Sequence, residues 1–124
     1  FNNFTHLNSS LFYHMRKLRA LDLVSNRISY IEPDTFKNLI NLQVLWLTTN
    51  ELVSIHWKTL NPLINLKTLM IGNNNLDILP ENIIFCLPNL KFISLCNNNI
   101  SDLDELECIS LDKIRIKWLF RKKD

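Results

Sequence analysis

Residues 66–79 read LKTLMIGNNNLDIL. Counting Leu66 as the first position, apolar side chains stand at the first, fourth, sixth, eleventh and fourteenth (Leu66, Leu69, Ile71, Leu76, Leu79), with Asn74 at the ninth. The same text returns three more times, opened by Leu18, Leu42 and Leu90, each copy 24 residues after the last. Leu21, Leu45 and Ile93 take the fourth position, Leu23, Leu47 and Leu95 the sixth, and Ile28, Leu52 and Ile100 the eleventh. Asn26, Asn50 and Asn98 match Asn74, and Ile31, Ile55 and Leu103 match Leu79. The second half keeps the same time: Phe36, Leu60, Ile84 and Cys108 hold the nineteenth position, and Leu39, Leu63, Leu87 and Leu111 the twenty-second. A fixed period of this length, with no insertion, is the mark of a repeat architecture.

The spacing has a direct physical reading. Apolar residues two apart point the same way from a short strand. Strands of successive repeats stack in parallel, and each coil buries its apolar face against its neighbours. Where the chain turns off the strand, backbone groups lose their ladder and must find other partners. A carboxamide carries both donor and acceptor atoms. Asn26, Asn50, Asn74 and Asn98 are therefore expected to form a buried ladder linking consecutive turns.

The totals exclude several classes. A chain of 124 residues is one domain's worth, and 47% of it is apolar. The net charge is only +2, whereas nucleic-acid binding usually brings a basic stripe, so nucleic acid is not an expected partner. No apolar run approaches the length of a membrane span, so this segment does not insert directly. One glycine, Gly72, rules out a glycine-rich phosphate loop. His6, His14 and His56 lie on return halves of the coils, none beside a plausible nucleophile. The acidic run Asp102, Asp104, Glu105 and Glu107 lacks the glycine and ligand spacing of a calcium loop. No catalytic residue, cofactor or metal ligand is assigned, and the chain is not expected to be an enzyme.

Three cysteines, Cys86, Cys96 and Cys108, show no metal-ligand spacing. Cys108 replaces the apolar residue of its coil, Cys96 falls at an outward strand position, and a bridge between Cys86 and Cys108 is conceivable between adjacent coils. Sequons for N-linked sugar occur at Asn3, Asn8 and Asn99.

Taken in order, the chain reads as a single domain over 1–124. Residues 1–17 fit a partial repeat, with Asn2, Phe4, Leu7, Phe12 and Met15 in the ninth, eleventh, fourteenth, nineteenth and twenty-second positions. The missing strand and absent polar cap imply a piece of a longer protein. Repeats follow at 18–41, 42–65, 66–89 and 90–113. Residues 114–124 read as a terminal strand opened by Ile114, with Ile116 and Trp118 alternating, and a basic tail of Arg121, Lys122 and Lys123. Lys117 in place of an inward leucine marks that strand as an edge. Return segments such as residues 32–38 predict loops with short helical turns.

LQVLWLTTNELVSI and LKTLMIGNNNLDILP resemble the "typical" leucine-rich repeat class. Its members include Toll-like receptor ectodomains, small matrix proteoglycans, neuronal adhesion proteins and lamprey variable receptors. The resemblance implies an α/β solenoid, curved, with a parallel sheet on the concave face and loops or short helical turns on the convex side. It also implies that the concave face binds another protein. The cysteine-rich caps of the secreted members are absent here.

Residues alternating with the inward leucines form outward columns. The middle one holds Asp22, Trp46, Met70, Ser94 and Trp118; a second holds Ala20, Val44, Thr68, Phe92 and Ile116; the first holds Arg19, Gln43, Lys67, Lys91 and Arg115. Trp46, Met70, Phe92 and Val44, beside Lys67, Lys91 and Arg19, are the expected partner-binding residues, since aromatic residues, Met and Arg are enriched at interface centres. The expected role is protein recognition within an extracellular or cell-surface glycoprotein, a receptor of the signalling or innate-immunity kind, meeting a protein ligand or co-receptor. A polyanion is a weaker candidate for the basic row. The alternative is a structural scaffold in a cytoplasmic or ciliary assembly.

Overall fold

A computed structural model describes residues 3–78, 83–100 and 111–112. In the main sheet, β2 (Ala20–Asp22), β4 (Val44–Trp46), β5 (Thr68–Met70) and β6 (Phe92–Ser94) lie side by side and parallel, one strand per repeat. Leu21, Leu45, Leu69 and Ile93 stand directly opposite one another along the row. The 24-residue period of the text is thus the repeat of the coil. Two further strands, β1 (His6–Leu7) and β3 (Tyr30–Ile31), pair in parallel as a separate small sheet at the thirteenth and fourteenth positions. Return halves contribute one helical turn each in two coils, α1 (Trp57–Leu60) and α2 (Ile83–Cys86).

Burial follows the repeat. Leu45, Leu69, Leu47, Ile71, Leu52, Leu76, Leu39 and Leu63 are all fully buried, together with Phe36 and Leu60. Leu42, Leu66 and Leu90 are buried, while Leu18 and Leu21, in the first strand-bearing coil, only pack against the core from its edge. Met15 departs from its expected place: it is 45% exposed where Leu39, Leu63 and Leu87 are sealed. No described coil covers that flank of the first turn, and a coil hides its apolar residues only when it has neighbours on both sides.

The asparagine ladder holds the turns together. Asn50 Oδ1 accepts the Ile28 N–H at 3.0 Å, and its Nδ2 donates to the carbonyls of Leu23 and Leu47. Asn74 repeats this with the Leu52 N–H and the Leu47 and Ile71 carbonyls, and Asn98 with the Leu76 N–H and the Ile71 and Leu95 carbonyls. At Asn26 the amide nitrogen reaches the Leu23 carbonyl, but Oδ1 is buried without a partner. A second ladder runs along the outside. Asn41, Asn65 and Asn89, each just before the leucine that opens a repeat, donate at 2.7 Å to the Arg16, Ile40 and Ile64 carbonyls of the preceding coil.

Each coil leaves its strand through a left-handed residue: Ser25, Thr49, Asn73 and Asn97 have φ of 59, 61, 52 and 59°. Asparagine tolerates that region, but β-branched Thr49 is strained there. Gly72, the only glycine, is not the residue that turns; its role is closeness. A Cβ at Gly72 would lie 3.0 Å from the Cys96 carbonyl oxygen of the next coil.

Two expectations need correction. The place beside β6 belongs to β7 (Leu111–Asp112), which runs antiparallel, with Ile93 opposite Leu111 and Phe92 opposite Asp112. Leu111, expected to repeat the place of Leu39, Leu63 and Leu87, instead lies in a strand that pairs with β6. The chain reverses after the fourth strand, a change of direction that a count of periods does not register. Cys86 is a free buried thiol and Cys96 is disulfide-bonded, so the bridge considered between Cys86 and Cys108 is not formed. Asn2, Leu79, Leu103, Cys108, the acidic run at 102–107, the strand expected at 114–118 with Arg115, and the basic tail lie outside the described residues.

Candidate functional site

The strand register decides which side chains share a surface. Asp22, Trp46, Met70 and Ser94 are consecutive partners across β2, β4, β5 and β6, and Ala20, Val44, Thr68 and Phe92 form the parallel column two residues earlier. Neighbouring strands are about 4.8 Å apart, so Trp46 and Met70 are adjacent and Phe92 lies diagonal to Met70. Trp46, Met70 and Val44 are half-buried by their neighbours, and Phe92 is 47% exposed at the end of its column. All four are on the outward side, opposite the sealed Leu45 and Leu69.

The basic row borders this patch. Arg19, Lys67 and Lys91 are exposed, and no ion pair engages them among the described residues. Their backbones lock the coils: Gln43 and Val44 N–H groups donate to the Arg19 carbonyl, and Lys91 and Phe92 N–H groups to that of Lys67. Asp22 is an acid on this face, and its Oδ1 accepts the Val24 N–H. The fold thus brings all seven expected residues to one face, aromatic and apolar at the centre with exposed cations at the margin.

Other functional groups are dispersed. His6 stacks against Tyr30 and lies 3.5 Å from Glu32. His14 meets Tyr13 edge-on. His56 caps α1, its Nδ1 accepting the Lys58 N–H at 3.1 Å. Cys86 is buried, and desolvation raises its thiol pKa above the usual value, which holds it protonated and inert. Among the described residues no three His, Cys, Asp or Glu side chains gather as a metal site would need, and no helix is long and apolar enough to cross a membrane.

Sequence reasoning missed a second exposed apolar set. Tyr30, Val53, Trp57 and Ile78 are 40 to 58% exposed, all after the eleventh position of their coils and away from the strand columns. The available signal was that none of them occupies a consensus position, yet all are large and apolar.

A stack of 24-residue coils with one parallel strand each and an asparagine ladder at the turns defines a solenoid class. The family model "Leucine rich repeat" matches residues 1–52 and 40–100, and the chain belongs to the leucine-rich repeat family. Among solved structures, one chain of the TLR13–ssRNA13 complex is 31% identical, with a TM-score of 0.76 over 86% of this chain and 16% of that one. The Toll–Spatzle complex of Drosophila contains a chain 29% identical, with a TM-score of 0.74 over 78% of this chain and 13% of that one. A second structure of that complex gives 29% and 0.75. The chain thus spans about one-sixth or less of the length of these similar proteins. No curated protein sequence matches it. One similar chain is in complex with an ssRNA, so a near-neutral charge is no ground for excluding nucleic acid here.

Proposed function

We propose that this chain is a recognition segment, one leucine-rich repeat domain over 1–124, of an extracellular or cell-surface receptor. It binds a protein ligand or co-receptor through its strand face. One observation carries the reading: Trp46, Met70, Phe92 and Val44 form a contiguous outward patch bordered by the exposed cations Arg19, Lys67 and Lys91. Apolar surface of this kind, rimmed by charge, usually marks a contact site. The complementary partner is an extended or loop segment with apolar anchors and acidic flanks. The disulfide at Cys96 favours an oxidising compartment over a cytoplasmic scaffold, because such bonds persist outside the cytosol. The likeness to Toll and TLR13 supports a signalling role in innate immunity, and the sequons support a glycoprotein.

The test is a random peptide library displayed on phage and selected on the immobilised chain. Enriched peptides carry acidic residues beside an aromatic or aliphatic anchor. The double substitution Trp46→Ala/Phe92→Ala weakens them at least about tenfold, the effect of losing roughly 1.4 kcal/mol. Binding that survives it, in a variant of unchanged circular dichroism, removes the proposal. The likeness to the ssRNA-bound chain favours one second reading, a single strand whose bases stack on Trp46 and Phe92 while Lys67 and Lys91 meet phosphate. Polyuridylate binding that falls steeply with salt and needs those four residues would replace the first reading with this one.

A further inference from the structure

We infer that Asn3, Asn8 and Asn99 each carry an N-linked oligosaccharide, and that the sugars stand off the strand face. This rests on the extracellular reading above. The fold spends its asparagines selectively. Nine described asparagines donate their side-chain N–H groups to oxygens within the fold, and seven of them make the two ladders. None of the nine begins an N-x-S/T triplet. The triplets begin at Asn3, Asn8 and Asn99, whose amide nitrogens make no hydrogen bond among the described residues. At Asn8 it is the oxygen that is engaged, accepting from the Ser10 N–H at 3.0 Å and the Ser10 hydroxyl at 2.6 Å. The asparagines are sorted: those that a sugar would uncouple from a neighbouring coil lack the acceptor triplet, and those that have it are free.

Position agrees. Asn3 and Asn99 both fall at the tenth place of the repeat, where the intervening coils carry Arg27, Glu51 and Asn75. All five residues are exposed. The backbone there is fixed, the N–H groups of Arg27, Glu51, Asn75 and Asn99 donating to the carbonyls of Phe4, Ile28, Leu52 and Leu76, so the side chain alone projects. Asn8 directly follows β1, away from the main sheet. No triplet touches the outward columns of β2, β4, β5 and β6. A sugar at any of the three leaves Trp46, Met70 and Phe92 accessible. In the transfer, Nδ2 forms a bond to the anomeric carbon of a polyprenyl-pyrophosphate-linked oligosaccharide. The carbon–oxygen bond to pyrophosphate breaks, the pyrophosphate leaves with the electron pair, and the amide proton passes to solvent.

The experiment is expression of the full-length chain through a eukaryotic secretory pathway, then enzymatic deglycosylation in heavy-oxygen water and peptide mass spectrometry. Glycosylated asparagines appear as labelled aspartate. Label at all three of Asn3, Asn8 and Asn99 is the expected result; any of the three left unlabelled, in secreted folded chain, overturns the inference. Thr5→Ala, Ser10→Ala and Ser101→Ala each remove one sugar while keeping the asparagine. A free-thiol count on the same sample separates the two claims. One thiol with no sugar sinks the glycan assignment alone; three thiols sink the extracellular reading beneath it.

Discussion

Three hydrogen bonds converge on a single buried side chain at Asn50, and they tie its own coil to the one before. Asn50→Ala strips the Ile28 N–H and the Leu23 and Leu47 carbonyls of their partner inside the core, at an expected cost of about 3 kcal/mol in denaturant unfolding. Asn26→Ala should cost only about 1 kcal/mol, because Asn26 is half-buried and its oxygen already lacks a partner. Equal losses at the two sites would show that the ladder is not what stabilises the turns. Thr49 offers the opposite sign. At φ 61° a β-branched side chain is strained, so Thr49→Asn should raise the thermal midpoint, by a gain of about 1 kcal/mol. The buried ladder was legible because its asparagines recur inside an apolar frame that needs a polar exception. The outer one was not, since Asn41, Asn65 and Asn89 are exposed and interrupt no hydrophobic pattern.

At the scale of the element, three-residue strands gain their stability sideways. Leu69 is flanked by Leu45 and Ile93 and is fully buried, so Leu69→Ala should cost about 2–5 kcal/mol, whereas Thr68→Ala on the outward side should stay within about 0.5 kcal/mol. Comparable losses by urea titration would contradict the assignment of inner and outer faces. α2 ends at Cys86, whose buried thiol titrates later in the folded state than in the unfolded one. As pH rises through the unfolded thiol's pKa, the unfolded chain loses its proton first, so the contribution of Cys86 to stability falls. Alkylation of native protein at pH 8 should leave Cys86 unmodified, and denaturation without reductant should release it; rapid labelling of the native thiol would contradict its burial. The main strands were readable because two-residue alternation inside a fixed period admits one orientation. β7 was not, because direction of travel leaves no trace in a column of apolar letters. The β1–β3 pair escaped for a related reason: two residues are too few to alternate.

For the whole molecule, the strand face is where register turns into function. Trp46, Met70 and Phe92 are far apart in the chain and adjacent in space only because each repeat spends the same number of residues on its return. The columns were therefore predictable from counting, while the exposure of Tyr30, Val53, Trp57 and Ile78 was not, these residues lying where the consensus has no letter. Those two surfaces give the central claim an internal control. Hydroxyl-radical footprinting of the chain, free and bound to a peptide selected on it, reads oxidation at tryptophan and methionine side chains one by one. Binding should protect Trp46 and Met70 and leave Trp57, in α1 on the return half, as reactive as before. Protection of Trp57 with Trp46 and Met70 unchanged would place recognition on the other surface and contradict the account.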